Sequence, residues 1–122
     1  MSRTVYNDSK GRRWDRDSII ALLDHSDVFL ERALTVVFKN QTDDEQTTGD
    51  VSVRNGRGFT GSGESEFMTS LAKQMSQSRR PEGHRLSPRQ QEALRRRNVR
   101  DVPKMGKYWK QVLIEIEKRD IQ

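Results

Sequence analysis

The chain has 122 residues, a formal net charge of +5, 31% hydrophobic and 34% charged side chains, and no cysteine. These values exclude disulfides and thiolate metal sites, and no apolar run approaches the roughly 20 residues needed to span a bilayer. One soluble domain with a lean core is expected, with frayed ends, a mobile loop and self-association left open as a source of extra stability.

Taken in chain order, residues 1–14 read as an extended or loosely ordered segment, with 1–13 set apart as a flexible arm. Its start, Met1-Ser2-Arg3-Thr4-Val5, lacks the apolar stretch of a signal peptide, so a cytoplasmic protein is expected. A short helix is predicted over 15–24, with Ile19, Ile20, Leu22 and Leu23 as its apolar content. Ser26 suits the N-cap of a second helix over 26–40. There Leu30, Ala33, Leu34, Val37 and Phe38 share one face, while Glu31, Arg32 and Lys39 fall away from the stripe. Thr42-Asp43-Asp44-Glu45 fits a capping box and predicts a fresh helical turn.

From Thr47 to Gly63 the chain turns glycine-rich; Val51-Ser52-Val53 suits a brief extended stretch and Asn55-Gly56 a turn. Helical spacing resumes over 63–76 with Phe67, Met68, Leu71, Ala72 and Met75. Residues 77–86 form a basic linker containing helix breakers. Ser87-Pro88-Arg89-Gln90 is a well-formed helix start, with serine at the cap, proline at N1 and glutamine at N3. That helix is predicted over 87–100, ending at Asp101-Val102-Pro103, and a last one over 104–118 aligns Met105, Tyr108, Trp109, Val112, Leu113 and Ile116. The expected fold is all-α, a small bundle of four to five helices with a glycine-rich loop: a single domain over 14–118 followed by a tail over 119–122.

Charge is unevenly placed. Residues 1–61 carry a net −1 and residues 62–122 a net +6, with +8 concentrated between Arg79 and Lys110. Such asymmetry points to an acidic partner, most commonly nucleic acid. Arg89, Arg96 and Arg100 stand at i, i+7 and i+11, so an unbroken helix would set them along one side as a phosphate-contacting row, joined by Lys104 and Lys107. The alternative is a solvated face in which Glu92 supports Arg96. Tyr108 and Trp109 lie among Lys104, Lys107 and Lys110, which suits base stacking at Tyr108, although Trp109 shares the spacing of a buried face.

Gly56-Arg57-Gly58-Phe59-Thr60-Gly61 matches G-x-G-x-x-G, but without a preceding strand or a βαβ unit a dinucleotide site is not expected. A glycine loop before a helix can still present amides to phosphate, with Arg57 adding charge and Phe59 either stacking on a base or packing inside. Enzyme readings fail on inventory. His25 and His84 are the only imidazoles, Asp43, Asp44, Glu45 and Asp50 do not form an EF-hand, and Glu64 and Glu66 suit a helix N-terminus. No catalysis, metal or other cofactor is expected.

A series of blocks carries a family resemblance: Glu31-Arg32-Ala33-Leu34, Gln41-Thr42-x-Asp44-Glu45-Gln46, Asn55-Gly56-x-Gly58-Phe59, Leu71-Ala72, Leu86-Ser87-Pro88-x-Gln90 and Lys107-Tyr108-Trp109-Lys110-Gln111. In this order, over about residues 14–116, the chain resembles a group of small helical proteins encoded by phages and plasmids. The resemblance implies a mobile-element origin and a role near DNA metabolism, with no established activity. The chain departs from the group at Gly63 and across Arg97–Pro103. Two functions are therefore expected as alternatives: a nucleic-acid-associated accessory protein, or a protein-binding inhibitor or adaptor that docks on an acidic face of a host or viral enzyme.

Overall fold

The computed structural model describes residues 5–48, 64–97 and 103–121. The Val51–Val53 stretch and the glycine motif, including Arg57 and Phe59, lie outside them, as does Arg100.

Residues expected to form a loose arm instead make a hairpin, β1 (Val5–Asn7) against β2 (Arg13–Asp15), antiparallel with Tyr6 opposite Trp14. Asp8 organises its turn: Oδ1 accepts the N–H groups of Lys10 (2.9 Å) and Arg12 (2.8 Å), and Oδ2 accepts the Trp14 indole N–H at 2.9 Å. Gly11 supplies the positive φ of 82° that the turn requires. These are short-range polar contacts in a segment with little hydrophobic periodicity, which is why a pattern search passes over it.

Asp15 then caps α1 (Arg16–His25): its carboxylate accepts Ser18 N–H at 2.9 Å while its own N–H donates to Ser18 Oγ at 2.9 Å. Ile19 and Leu23 point inward. Ser26 breaks the helix in extended conformation and starts α2 (Asp27–Thr48), its Oγ accepting Phe29 N–H at 3.1 Å. The cap predicted at Thr42 is not used as a new start. From Asp27 to Thr48 the sequence has no glycine or proline, and extending an existing helix costs less than nucleating another, so α2 runs through.

Next come α3 (Glu64–Gln77) and α4 (Pro88–Arg95), the latter with the predicted Ser87/Gln90 capping box. The predicted continuation of α4 to residue 100 does not occur. Arg96 turns extended, its carbonyl accepts Lys104 N–H at 3.0 Å, and Arg97 forms an isolated antiparallel bridge with Pro103. The last helical segment opens as a 3-10 turn (Lys104–Tyr108) in which Gly106 N–H donates to Pro103 carbonyl at 2.8 Å, and only then becomes α5 (Trp109–Ile121). Glycine at its centre weakens this stretch for α-helix.

α2 is the central element, packed against α1, α3, α5 and the 3-10 turn. Leu30, Leu34, Val37, Met68, Leu94, Met105 and Leu113 form the interior with Ile19 and Leu23. Among the described residues the architecture is thus mostly helical with one two-stranded sheet. Residues 119–121, expected as a tail, belong to α5, where Asp120 fastens the hairpin: Ser9 donates to it through N–H (3.0 Å) and Oγ (2.6 Å), and the Tyr6 hydroxyl donates as well. No helix among the described residues is long and apolar enough to cross a membrane.

Candidate functional site

Glu31, expected on the outer side of α2, is buried at 2% exposure. Its Oε1 accepts Gly83 N–H at 2.8 Å, and Oε2 accepts Arg85 N–H (3.0 Å) and Leu86 N–H (3.1 Å). Gln91 completes the cluster, donating to Gly83 carbonyl at 3.0 Å and more weakly to Glu31 Oε2 at 3.4 Å. Three backbone donors offset the cost of desolvating one carboxylate, with no cation within ion-pair distance among the described residues. Gly83 holds φ +89° so that its amide can face Glu31. One position along α2, Arg32 grips the outside of the same loop through Glu82 at 2.7 Å. That hydrogen bond lowers the carboxyl pKa of Glu82 below its ordinary value and raises that of Arg32.

The anchored loop places charge. It lies between the end of α3 and the start of α4, and together they enclose an open hollow of about 710 Å³. Lys73, Arg80 and Arg85 line it, with the hydroxyls of Ser70, Ser78 and Ser87 and the amides of Gln74, Gln77 and Gln90. Gln74 and Gln90 exchange paired amide hydrogen bonds of 2.9 and 3.0 Å, bracing α3 against α4. Arg85 Nε donates to Arg80 carbonyl at 3.0 Å, which folds the loop back on itself. Among the described residues, no carboxylate lines the hollow, and none lies within ion-pair distance of Lys73 or Arg80. A concave surface offering cations, hydroxyls and amides suits the oxygens of a phosphodiester chain.

The sequence-derived candidates fare differently. Arg89 is exposed on the first turn of α4, beside Gln90 of the hollow, and Arg96 is exposed where α4 ends. Because α4 stops at Arg95, Arg96 does not extend a helical row from Arg89, and Arg100 lies outside the described residues. Arg95 and Arg97 serve the fold: Arg95 Nε donates to Leu23 carbonyl at 2.7 Å, and Arg97 binds Asp24 bidentately at 3.1 and 2.6 Å. Arg95 Nη2 also stands 2.8 Å from Asp27 Oδ1, an ion pair outside hydrogen-bond geometry. These cations meet the carbonyl end of α1, where the helix dipole favours positive charge. The Glu92–Arg96 pair is not formed.

Tyr108 is corrected as a stacking candidate: at 2% exposure its ring is part of the core, because it shares a buried face with Met105 and Val112. Lys107 is exposed with its ammonium 5.2 Å from the centroid of that ring. Lys104 is half-buried, its ammonium 5.4 Å from the ring centroid of Phe67. The cations of the hollow were absent from the sequence-derived set, although Arg79, Arg80 and Arg85 mark 77–86 as a basic linker. What the pattern lacked was Glu31, which ties that linker down.

A second concavity, of about 350 Å³, lies across α2. Its floor is apolar, made by Trp14, Leu22, Phe29, Val36, Val112 and Ile116, and Arg12, Arg32 and Arg119 stand at its edge with Glu115. Trp14 and Phe29 stack there at 6.2 Å between centroids.

No protein-family model, curated protein or solved structure matches this chain.

Proposed function

We propose that the protein is a nucleic-acid-associated accessory protein that binds the phosphate backbone without catalysis. The observation that supports this reading is the convergence of Lys73, Arg80 and Arg85 on one hollow with no carboxylate among its described lining residues. Arg89 and Arg96 add exposed charge at the start and just past the end of α4, and Lys104 and Lys107 add charge on the 3-10 turn. Arg57 and Arg100 join the set on charge alone. The phage or mobile-element setting rests only on the order of the sequence blocks.

Binding of fluorescent single- and double-stranded DNA and RNA at two salt concentrations tests the reading. Lys73→Ala/Arg80→Ala/Arg85→Ala and Arg89→Ala/Arg96→Ala/Arg100→Ala are run beside the wild type, with circular dichroism as the folding control. Each phosphate contact contributes about 0.7–0.9 to the slope of log affinity against log salt, so the first variant should lower that slope by roughly 2–3. Absence of binding at low salt would sink the proposal.

The second reading, a small protein-binding inhibitor or adaptor, is favoured by the apolar cleft with arginines at its edge. Its occupant would be a segment of an acidic protein that presents an apolar side chain between carboxylates. Such binding should depend on a few aromatic or arginine residues and tolerate salt better.

A further inference from the structure

We propose that Phe67 is a base-stacking residue, which makes single-stranded polynucleotide the ligand of the cationic hollow; this rests on the phosphate-binding reading above. Phe67 is 37% exposed, the most exposed aromatic ring among the described residues. Its neighbours on α3, Met68, Leu71, Ala72 and Met75, turn into the core, and Phe67 stands at the margin of that buried face with one side turned to solvent. On that side Phe67, Ser70, Gln74 and Gln77 follow one another at i, i+3, i+7 and i+10, and the last three line the hollow. The ring therefore stands at the head of the track that leads to Lys73, Arg80 and Arg85.

The distances suit a short strand. Ten residues of helix span about 15 Å, the length of roughly four nucleotides in stacked form. The Lys104 ammonium sits 5.4 Å from the ring centroid and covers one face of the ring. A base stacking on the ring would bring its phosphate within reach of that ammonium. Glu66, exposed one residue before Phe67, marks the end of the cationic stretch along α3. A duplex keeps its bases stacked inside and offers the ring nothing, whereas an unpaired base has a free π-face.

The test measures affinities of the wild type, Phe67→Ala, Phe67→Tyr and Lys73→Ala/Arg80→Ala/Arg85→Ala for labelled single-stranded DNA, single-stranded RNA, an abasic strand and duplex DNA. Stacking is worth about 1–3 kcal/mol per base, so Phe67→Ala should weaken single-strand binding about 5- to 150-fold. Phe67→Tyr should restore it, and the abasic strand and the duplex should be indifferent to Phe67. The salt slope should stay unchanged in Phe67→Ala and fall in the triple variant. If Phe67→Ala leaves single-strand binding intact, or weakens duplex and abasic binding equally, while the triple variant loses binding, the stacking role is overturned and the phosphate reading stands. If the triple variant binds like the wild type, or the wild type binds none of the four ligands, both are overturned.

Discussion

The buried carboxylate of Glu31 accepts the backbone N–H of Gly83 at 2.8 Å, joining residues 52 positions apart in the chain. Through that bond and its two companions to Arg85 and Leu86, a basic linker becomes a fixed wall of the cationic hollow.

Removing the carboxylate should therefore cost both stability and the site. Glu31→Ala strands three amide donors in the interior, and each unmet buried donor costs on the order of 1–3 kcal/mol. A loss of about 3 kcal/mol or more is expected in urea denaturation. Glu31→Gln keeps one carbonyl acceptor and should lose less.

Gly83 and Gly11 make a matched pair. Both hold positive φ, of 89° and 82°, yet a Cβ at Gly83 would meet Val28 Cγ2 at 3.1 Å and one at Gly11 would meet nothing within 4 Å. Alanine at either position should cost about 1–2 kcal/mol from backbone strain alone. Gly83→Ala should lose more than Gly11→Ala, and the difference in thermal midpoint reports the Val28 contact.

The hairpin clamp predicts a dependence on pH at both extremes. Hydrogen bonds from Ser9 and Tyr6 hold the Asp120 carboxyl below its ordinary pKa. Its stabilising contribution is thus present above the ordinary carboxylate value and lost as pH falls through the depressed one. Tyr6, donating to Asp120, has its pKa pushed up from 10.0 to about 12. Its contribution is present below 10.0 and is lost as pH rises toward about 12. Asp120→Asn should flatten the thermal midpoint against pH in both limbs, and unchanged limbs would refute the clamp.

Among the three consecutive arginines the middle one should behave unlike its neighbours. Arg95→Ala loses the bond to Leu23 carbonyl and should destabilise by about 1–2 kcal/mol. Arg97→Ala breaks the pair with Asp24, more exposed, and should cost about 0.5–1 kcal/mol. Arg96→Ala should leave the denaturation midpoint unchanged and act only on nucleic-acid affinity.

Much of the helical frame was legible in the residues themselves, because amphipathic spacing and caps act within a few positions. The stripes of α1, α2 and α3, the Ser26 start and the Ser87/Gln90 capping box are of this kind. Where local signals were ambiguous, continuity or long-range contact prevailed: α2 passed through Thr42, and α4 stopped at Arg95. The hairpin was missed because Asp8 and Asp120 build it with polar bonds that leave no periodic trace.

The sequence by itself determined the excess of positive charge in the second half of the chain and where most of its helices begin. Only the tertiary structure decided which cations are spent on folding and which stand open. Arg95 and Arg97 meet α1, while Arg80 and Arg85 meet Lys73 around a hollow because Glu31, from another helix, ties down the loop at Gly83, Arg85 and Leu86. Charge is a property of the residue, but its availability depends on neighbours distant in the chain, and only packing brings those neighbours together.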